Sequence, residues 1–413
     1  MYMSKMVVDE IRKQFPALSR RVYGKDLVYF DNAATSQRVR SVIDMWNRIS
    51  CESNANIHRA VHRMADEATQ AYEDARDAVK CFLNASSREE IIFTSGTTAA
   101  VNLAAFCFGE AFVKEGDEIV VTEAEHHSNI VPWQMMCRRK GAVLKVLPVD
   151  ESGHLMVEKL DDLLGDRVKL MAVTHISNVL GIVNPVKEII EKCHSRGVPV
   201  LVDGAQGAVH CRVDVRDMDC DFYVFSGHKL YAATGTGVLY GKKSLLDKMP
   251  PYMGGGEMVG TVTFAETTYA PLPMKYEAGT QNFVSAATLK PAVEFVNSLN
   301  DSELVRYNDS IRDYLLDELT RDERIRLFGV PRGTFEDKIP LFSFVVEGVH
   351  HEDLALILDK MGIAVRSGQM CAEPLMDRFG VTGMLRASLA PYNTMEEAEY
   401  FVKCLNRAIG MLI

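Results

Sequence analysis

No run of apolar residues in this sequence approaches the roughly twenty that a membrane span requires. The opening stretch MYMSKMVVDEIRKQF has neither a long apolar core nor a small-residue cleavage site, so a cytoplasmic protein is expected. No basic block offsets the net charge of −10, and the two signs are interspersed. This speaks against nucleic acid and anionic membranes as partners, since either requires a basic face. The nine cysteines are scattered and form no Cys-x-x-Cys pair, which argues against a disulfide framework or a zinc ribbon and for reduced thiols. Internal repeats and low-complexity linkers are absent as well.

What is present reads as an ordinary globular chain. Its 413 residues exceed one compact core, so two domains are expected, and 47% hydrophobic with 25% charged residues is ordinary for a globular protein. EEIIFTSG, DEIVVTEAE, VKLMAVTHIS, VPVLVDGA, DFYVFSG and TGVLYGK read as buried strands that end in polar or glycine-rich turns. Helical stretches such as TTAAVNLAAFCFGEAFVKEG and NPVKEIIEKCHSRG lie between several of them. Strand–helix alternation implies an α/β domain with a mostly parallel sheet flanked by helices. We expect this large domain over 25–295. A smaller α+β domain is expected from 1–24 together with 296–413, where strand and helix patterns mix. The amphipathic stretch VVDEIRKQFPAL fits against either domain.

In open α/β sheets ligands bind beyond the carboxyl ends of the strands. Those ends carry chemistry here. One strand runs into Gly96, Thr97 and Thr98 at a helix start, where free N–H groups and hydroxyls suit a phosphate. Others end at His126 and His127, at Asn178, at Asp203 and Gln206, and at Ser226, His228 and Lys229. Taken singly, each has a bland reading as a cap, a turn or a surface group. Taken together they match the needs of pyridoxal phosphate. Lys229, among apolar neighbours that lower an amine's pKa, suits the Schiff-base amine. Asp203 suits the ring nitrogen, Thr97, Thr98, Ser226 and His228 suit the phosphate, and His126 suits a ring stacked on the cofactor.

Rival motifs fail on spacing. A P-loop ending in Gly241-Lys242 requires glycine where Thr236 stands, and a dinucleotide fingerprint requires glycine where Tyr240 stands. His58 and His62 are four apart, but no glutamate follows the first, so no metal site is expected. Further on, AVRSGQMCAEPLM sets Cys371 five residues after Arg366 on a tight loop, and MLRASLAPYNT adds Arg386 beside a short strand. Guanidinium holds a carboxylate in bidentate fashion. An amino acid therefore fits, with its amine to the cofactor, its carboxylate to arginine and its side chain towards the thiol.

DNAAT, NIHRAVH, SGTTAAVN, EHHSNIVPWQ, THISNVLG, VDGAQ, SGHKLY, GGGEM, YEAGTQN, RSGQMCAEPLM and RASLAPYNT follow one another across nearly the whole chain. In this order they resemble the class V aminotransferase family of the type I pyridoxal-phosphate fold, and within it the group II cysteine desulfurases of the SufS type. The resemblance implies conversion of L-cysteine to L-alanine with sulfur left on Cys371. It implies Lys229 as the Schiff-base lysine, Asp203 at the pyridinium, Gln206 at the ring hydroxyl and His126 stacked on the ring. Arg386 and Asn178 match the contacts to the substrate carboxylate, Arg366 lies near it, and His58 joins the substrate side. Thr280 matches a residue that a partner subunit supplies to the phosphate cup, so a homodimer is implied. The short cysteine loop implies a dedicated sulfur acceptor of SufE or SufU type, feeding iron–sulfur cluster assembly. Gln369-Met370 departs from the family before the cysteine, as does the basic character of RRVYGKDLVYFDNAATSQRVR. A selenocysteine lyase is the nearest alternative.

Overall fold

The structure is a computed structural model. It describes residues 2–59, 61–300, 302–330 and 337–413, with side chains from residue 6 onward.

Seven strands form the large sheet: β1 (Ile91–Thr94), β2 (Glu118–Thr122), β3 (Val143–Leu147), β4 (Val168–Thr174), β5 (Val200–Asp203), β6 (Phe222–Ser226) and β7 (Gly237–Gly241). Their order is β1-β7-β6-β5-β4-β2-β3. β7 is antiparallel to both its neighbours, and the other pairs are parallel. The carboxyl ends of β1, β2, β4, β5 and β6 therefore share one edge.

Alternation of side chains across the pleat accounts for the continuous apolar runs. Val200, Val202, Tyr223 and Phe225 enter one core, while Leu201, Phe222 and Val224 enter the other. The second core is closed by helix Thr97–Phe112, through Val101, Ala104 and Phe108, and by helix Val131–Lys140, through Trp133 and Met136. Helices Arg63–Leu83 and Val186–Ser195 contribute Tyr72, Val79, Ile189 and Ile190 to the first. The six strand-like runs in the sequence correspond to six of the seven strands. β3 has no such run, because it is an edge strand with Val143 and Val146 exposed and Lys145 turned out to Glu118 at 2.7 Å.

A second sheet of four strands, β8 (Ile325–Phe328), β9 (Leu341–Val346), β10 (Arg366–Gly368) and β11 (Met384–Ser388), is antiparallel in the order β8-β9-β11-β10. Helices Ser302–Arg321, His351–Lys360 and Met395–Leu412 pack with it. The N-terminal amphipathic stretch lies at the junction of the two sheets' surroundings. Phe15 packs edge-on to Phe295 and Tyr231 and against Tyr392, while Arg12 pairs with Glu397 at 2.7 Å.

Two of the connections that bring the sheets together run from the DNAAT segment and from the turn after β4. Val28–Tyr29 pairs in parallel with Ile363–Ala364, which carries the DNAAT segment onto the second sheet, where Asp31 bridges to Ser388. The turn after β4 is the other. Its four consecutive carbonyls, from Asn178 to Gly181, accept hydrogen bonds from Arg386 (2.8 Å), Ser343 (2.5 Å), Lys338 (2.6 Å) and the Ile339 N–H (3.0 Å). An exposed hairpin, Val259–Val262 with Thr267–Tyr269, carries Phe264 at its tip.

Candidate active site

Of the residues given a role from the sequence, all except Thr280 and His58 line one cavity of about 200 Å³ at the carboxyl edge of the large sheet. A roomier cavity of about 630 Å³ opens elsewhere, lined by residues such as His210, Arg312 and Lys338, and none of the candidates reaches it.

The anion end is built by close approach of backbone. Gly237, the first residue of β7, pairs with both Thr94 and Ser226. A side-chain carbon there would sit 2.5 Å from the Gly96 Cα, so only glycine lets β7 run so close beneath the turn. Gly96 itself, at φ 149°, turns the chain into helix Thr97–Phe112. Ser226 Oγ accepts from the Thr97 N–H at 2.8 Å and shares a hydrogen bond with its hydroxyl at 2.7 Å. A helix N-terminus, two threonines, a serine and the nearby His228 thus face one spot with no carboxylate among them, a donor set that fits a phosphate. Burial holds His228 down at about 4, so it faces that spot as a neutral ring.

Further along the edge, Lys229 and Asp203 follow or end neighbouring strands. Burial lowers the Lys229 ammonium from 10.5 to about 8, although the Asp203 charge works against it. Asp203 is 3% exposed, and burial raises its carboxyl, opposed by the Ala205 N–H at 2.9 Å and by Lys229. A buried acid that gains from a cation beside it fits a protonated ring nitrogen. His126 Nδ1 accepts the Ser128 N–H at 3.0 Å, so the neutral ring carries its proton on Nε2. Burial brings this ring down to about 4 as well. Gln206 is tied by its amide to the Ala33 carbonyl at 2.9 Å.

Close to Asp203 lies a carboxyl group that the sequence reading passed over. Glu125 is fully buried. Its oxygens accept from the Thr122 hydroxyl (2.6 Å), the Thr174 N–H (2.8 Å) and the Asn129 amide (2.7 Å). Burial raises it to about 8, with the bonds from Thr122 and Asn129 opposing. Thr174 is the register partner of Asp203, so Glu125 braces the strand end on which Asp203 sits.

The arginines arrive from the second sheet. Arg366 and Arg386 are register partners on β10 and β11, and Asp31 of the DNAAT segment bridges them at 3.4 and 3.3 Å. Arg386 is 2% exposed, and its Nε, also buried, has no hydrogen-bond partner. An orphaned guanidinium N–H at the cavity wall fits an anionic substrate group. Burial lowers Arg386 to about 10, which leaves it charged at neutral pH. Asp31 has no role in the sequence reading beyond its place in DNAAT, and the pairing that reveals one exists only across the two sheets.

Cys371 is exposed on the four-residue connection 369–372, between β10 and helix Glu373–Phe379. Met370 and Cys371 both take left-handed backbone, at φ 54° and 56°, which costs on the order of 1 kcal/mol for each non-glycine residue. Bonds to the large sheet's edge hold them there. Asn178 donates its amide to the Met370 carbonyl at 2.9 Å, and the His127 N–H donates to the Cys371 carbonyl at 2.8 Å.

Two candidates lie apart. Thr280 is exposed and does not line the cavity. His58, at φ 73°, packs edge-on to Tyr72, and its buried Nε2 has no partner. Arg76 forms a buried ion pair with Glu277 at 2.7 Å, which fixes the chain three residues before Thr280.

Comparison with known proteins places this arrangement. Residues 28–401 match the model of the class-V aminotransferase family. The chain belongs to that family, whose members are enzymes. It is 46% identical over 406 residues to a cysteine desulfurase of Enterobacter sp. strain 638, covering 98% of this chain and 99% of that one. A probable cysteine desulfurase of Vibrio cholerae is 44% identical, with 98% and 99% covered. The cysteine desulfurase of Synechococcus elongatus is 45% identical and longer, so that the chain spans 63% of it. Among solved structures, the E. coli cysteine desulfurase CsdA superposes with a TM-score of 0.90 at 39% identity over 98% of this chain and 99% of that one. The cysteine desulfurase of Thermococcus onnurineus gives 0.91 at 34% identity, with 98% of each covered.

Proposed function

We propose that this chain is a pyridoxal-phosphate-dependent cysteine desulfurase that converts L-cysteine to L-alanine and carries the sulfur as a persulfide on Cys371. One observation carries the reading: Lys229, Asp203, Arg386 and Cys371 all face a single cavity of about 200 Å³. When bound, pyridoxal phosphate supplies an aldehyde carbon for an amine and a ring that draws electron density from the substrate Cα. Thr97, Thr98, Ser226 and His228 hold its phosphate, and Asp203 holds a proton at its ring nitrogen. His126 covers the ring face, and Gln206 meets the ring hydroxyl. Arg386, with Arg366 and Asn178, orients the substrate carboxylate. Lys229, partly neutral at working pH, moves the proton at Cα. The Cys371 thiolate then attacks the substrate sulfur. An S–S bond forms as the substrate's Cβ–S bond breaks, and the electron pair stays with the carbon skeleton, which is protonated and leaves as alanine.

Several finer points belong to the same proposal. The enzyme is of the SufS type and hands its sulfur to a SufE- or SufU-like protein for iron–sulfur cluster assembly, a reading supported by the short connection that carries Cys371. A CsdA-type reading stands beside it, favoured by the superposition on E. coli CsdA. It acts as a homodimer in which Thr280 completes the partner's phosphate cup. The exposure of Thr280 and the apolar tip at Phe264 support this. His58 lies on the substrate side. Residues 25–295 form the cofactor domain, with 1–24 and 296–413 forming the smaller one. Residence in the cytoplasm is supported by the unpaired state of all nine cysteines. Among the described residues no helix is long and apolar enough to cross a membrane. The selenocysteine lyase alternative gains no support from the site, and the relatives compared are named as cysteine desulfurases.

The test uses the purified protein and L-cysteine. A visible band that shifts on addition of cysteine, release of alanine, and a mass increase of one sulfur on the peptide containing Cys371 are expected. Cys371→Ala should keep the band and its shift and lose the sulfur adduct. Full sulfur transfer by that variant overturns the assignment of Cys371, and a colourless protein that binds no pyridoxal phosphate overturns the whole reading.

A further inference from the structure

We propose that His127 is the positioning residue that holds Cys371 in attack geometry, gripping its loop just past the thiol with both backbone and ring. His127 has no part in holding cofactor or substrate in the scheme above, and it does not line the cavity. It nonetheless makes two bonds next to the nucleophile. Its backbone N–H donates to the Cys371 carbonyl at 2.8 Å, and its ring Nε2 accepts the Glu373 N–H at 3.0 Å. The two peptide groups flanking Ala372, the first of them Cys371's own, are thus tied to one residue just beyond β2.

The ring bond has a defined sense. A backbone N–H can only donate, so Nε2 accepts and the proton of the neutral ring lies on Nδ1. The acceptor is needed because Glu373 opens a short helix, where an N–H lacks a partner within the helix. Left alone, the segment has reason to move, since Met370 and Cys371 both sit in left-handed backbone. A local turn from the Ala372 N–H to the Gln369 carbonyl at 3.0 Å closes the loop on itself but does not tie it to the cavity. Asn178 and His127 provide those ties, Asn178 on the N-terminal side of the thiol and His127 on the C-terminal side. Its neighbour His126 faces the cavity. Adjacent histidines therefore divide the work: one ring covers the cofactor face while the other fixes the distance from the thiol to that face.

This inference rests on the proposed function, and its test separates the two. His127→Phe and His127→Gln are compared with the wild-type holoenzyme in three measurements: the spectral shift on adding L-cysteine, the single-turnover rate of persulfide formation, and the rate at which iodoacetamide alkylates Cys371. In His127→Phe the backbone bond remains and the ring acceptor is lost. Its spectral shift should match wild type in amplitude and cysteine dependence. Persulfide formation should slow on the order of 10- to 100-fold, the effect of a small misplacement of a reacting atom. Alkylation should become about threefold faster or more as the loop opens. His127→Gln, whose amide oxygen can accept the Glu373 N–H, should restore both rates to within about threefold of wild type. A His127→Phe protein with wild-type persulfide and alkylation rates overturns the clamp. So does a His127→Gln protein that behaves like His127→Phe, or a loss of the spectral shift equal to the loss of rate. If wild type forms no persulfide on Cys371, the proposed function fails, and the alkylation rates still decide whether His127 holds the loop.

Discussion

The cofactor side and the cysteine side of the cavity are built in opposite ways. On the first, Asp203, Ser226 and Lys229 stand at or just past the ends of central strands, buried on both faces of a seven-stranded sheet. Their positions follow from the ladder, and little beyond Glu125 is needed to brace them. On the second, Cys371 sits on a four-residue connection in left-handed backbone, and a few bonds from the edge of the large sheet hold it. On the proposed function, groups that must keep one place relative to a ring are set on stiff elements, and the group that must both reach a substrate and meet an acceptor is set on a loop with removable ties.

The largest effect expected from breaking this contrast is at Lys229. Lys229→Ala should abolish the visible band of a covalently held cofactor and lower turnover by at least about 100-fold, measured as alanine release. Asp203→Asn, close to isosteric, should keep the fold by circular dichroism and lower turnover by on the order of 100-fold, because an amide cannot stabilise a protonated ring nitrogen. Retention of full activity would show that the rigid side is not tuned as described.

On the side held by crossing contacts, Arg386→Lys removes the unpartnered Nε–H at the cavity wall. It should raise the KM for cysteine about tenfold with a smaller change in kcat, since Lys offers a flexible point charge where a directed donor stood. A pH series sharpens the contrast further. Because burial lowers Lys229 to about 8, the rate at which cofactor-free protein takes up pyridoxal phosphate should climb about tenfold per unit below pH 8 and level off above it. A flat rate between pH 6 and 8 would contradict the desolvated amine.

The smallest expected effect is on stability. Lys338 is buried and donates to the Leu180 and Leu341 carbonyls, and burial lowers its ammonium from 10.5 to about 7. The unfolded chain binds this proton more tightly, so the group's contribution to stability rises with pH between about 7 and 10.5. Lys338→Met should lower unfolding free energy by about 1–3 kcal/mol, through two unpaired carbonyls, and flatten that rise in urea titrations at several pH values.

Much of the rigid side was legible in the sequence, because a buried parallel strand writes itself as an apolar run and its chemistry follows at the run's end. Asp203, Ser226 and Lys229 could be read that way, as could the helix start at Thr97. The exposed edge strand β3 could not, since Val143 and Val146 lie open to solvent with no continuous run to mark them. The chain order alone, through residue spacing, determined an α/β sheet whose strand ends carry a lysine, an acid and a group of hydroxyls at a helix start, and a later loop with one cysteine. Only tertiary structure decided that Asp31 would bridge Arg366 and Arg386, that the four carbonyls from Asn178 to Gly181 would be capped by residues of the second sheet and of the stretch just before β9, and that His127 would grip the loop of Cys371. Those pairs lie far apart along the chain and share no periodicity, so nothing short of the folded contact could reveal them.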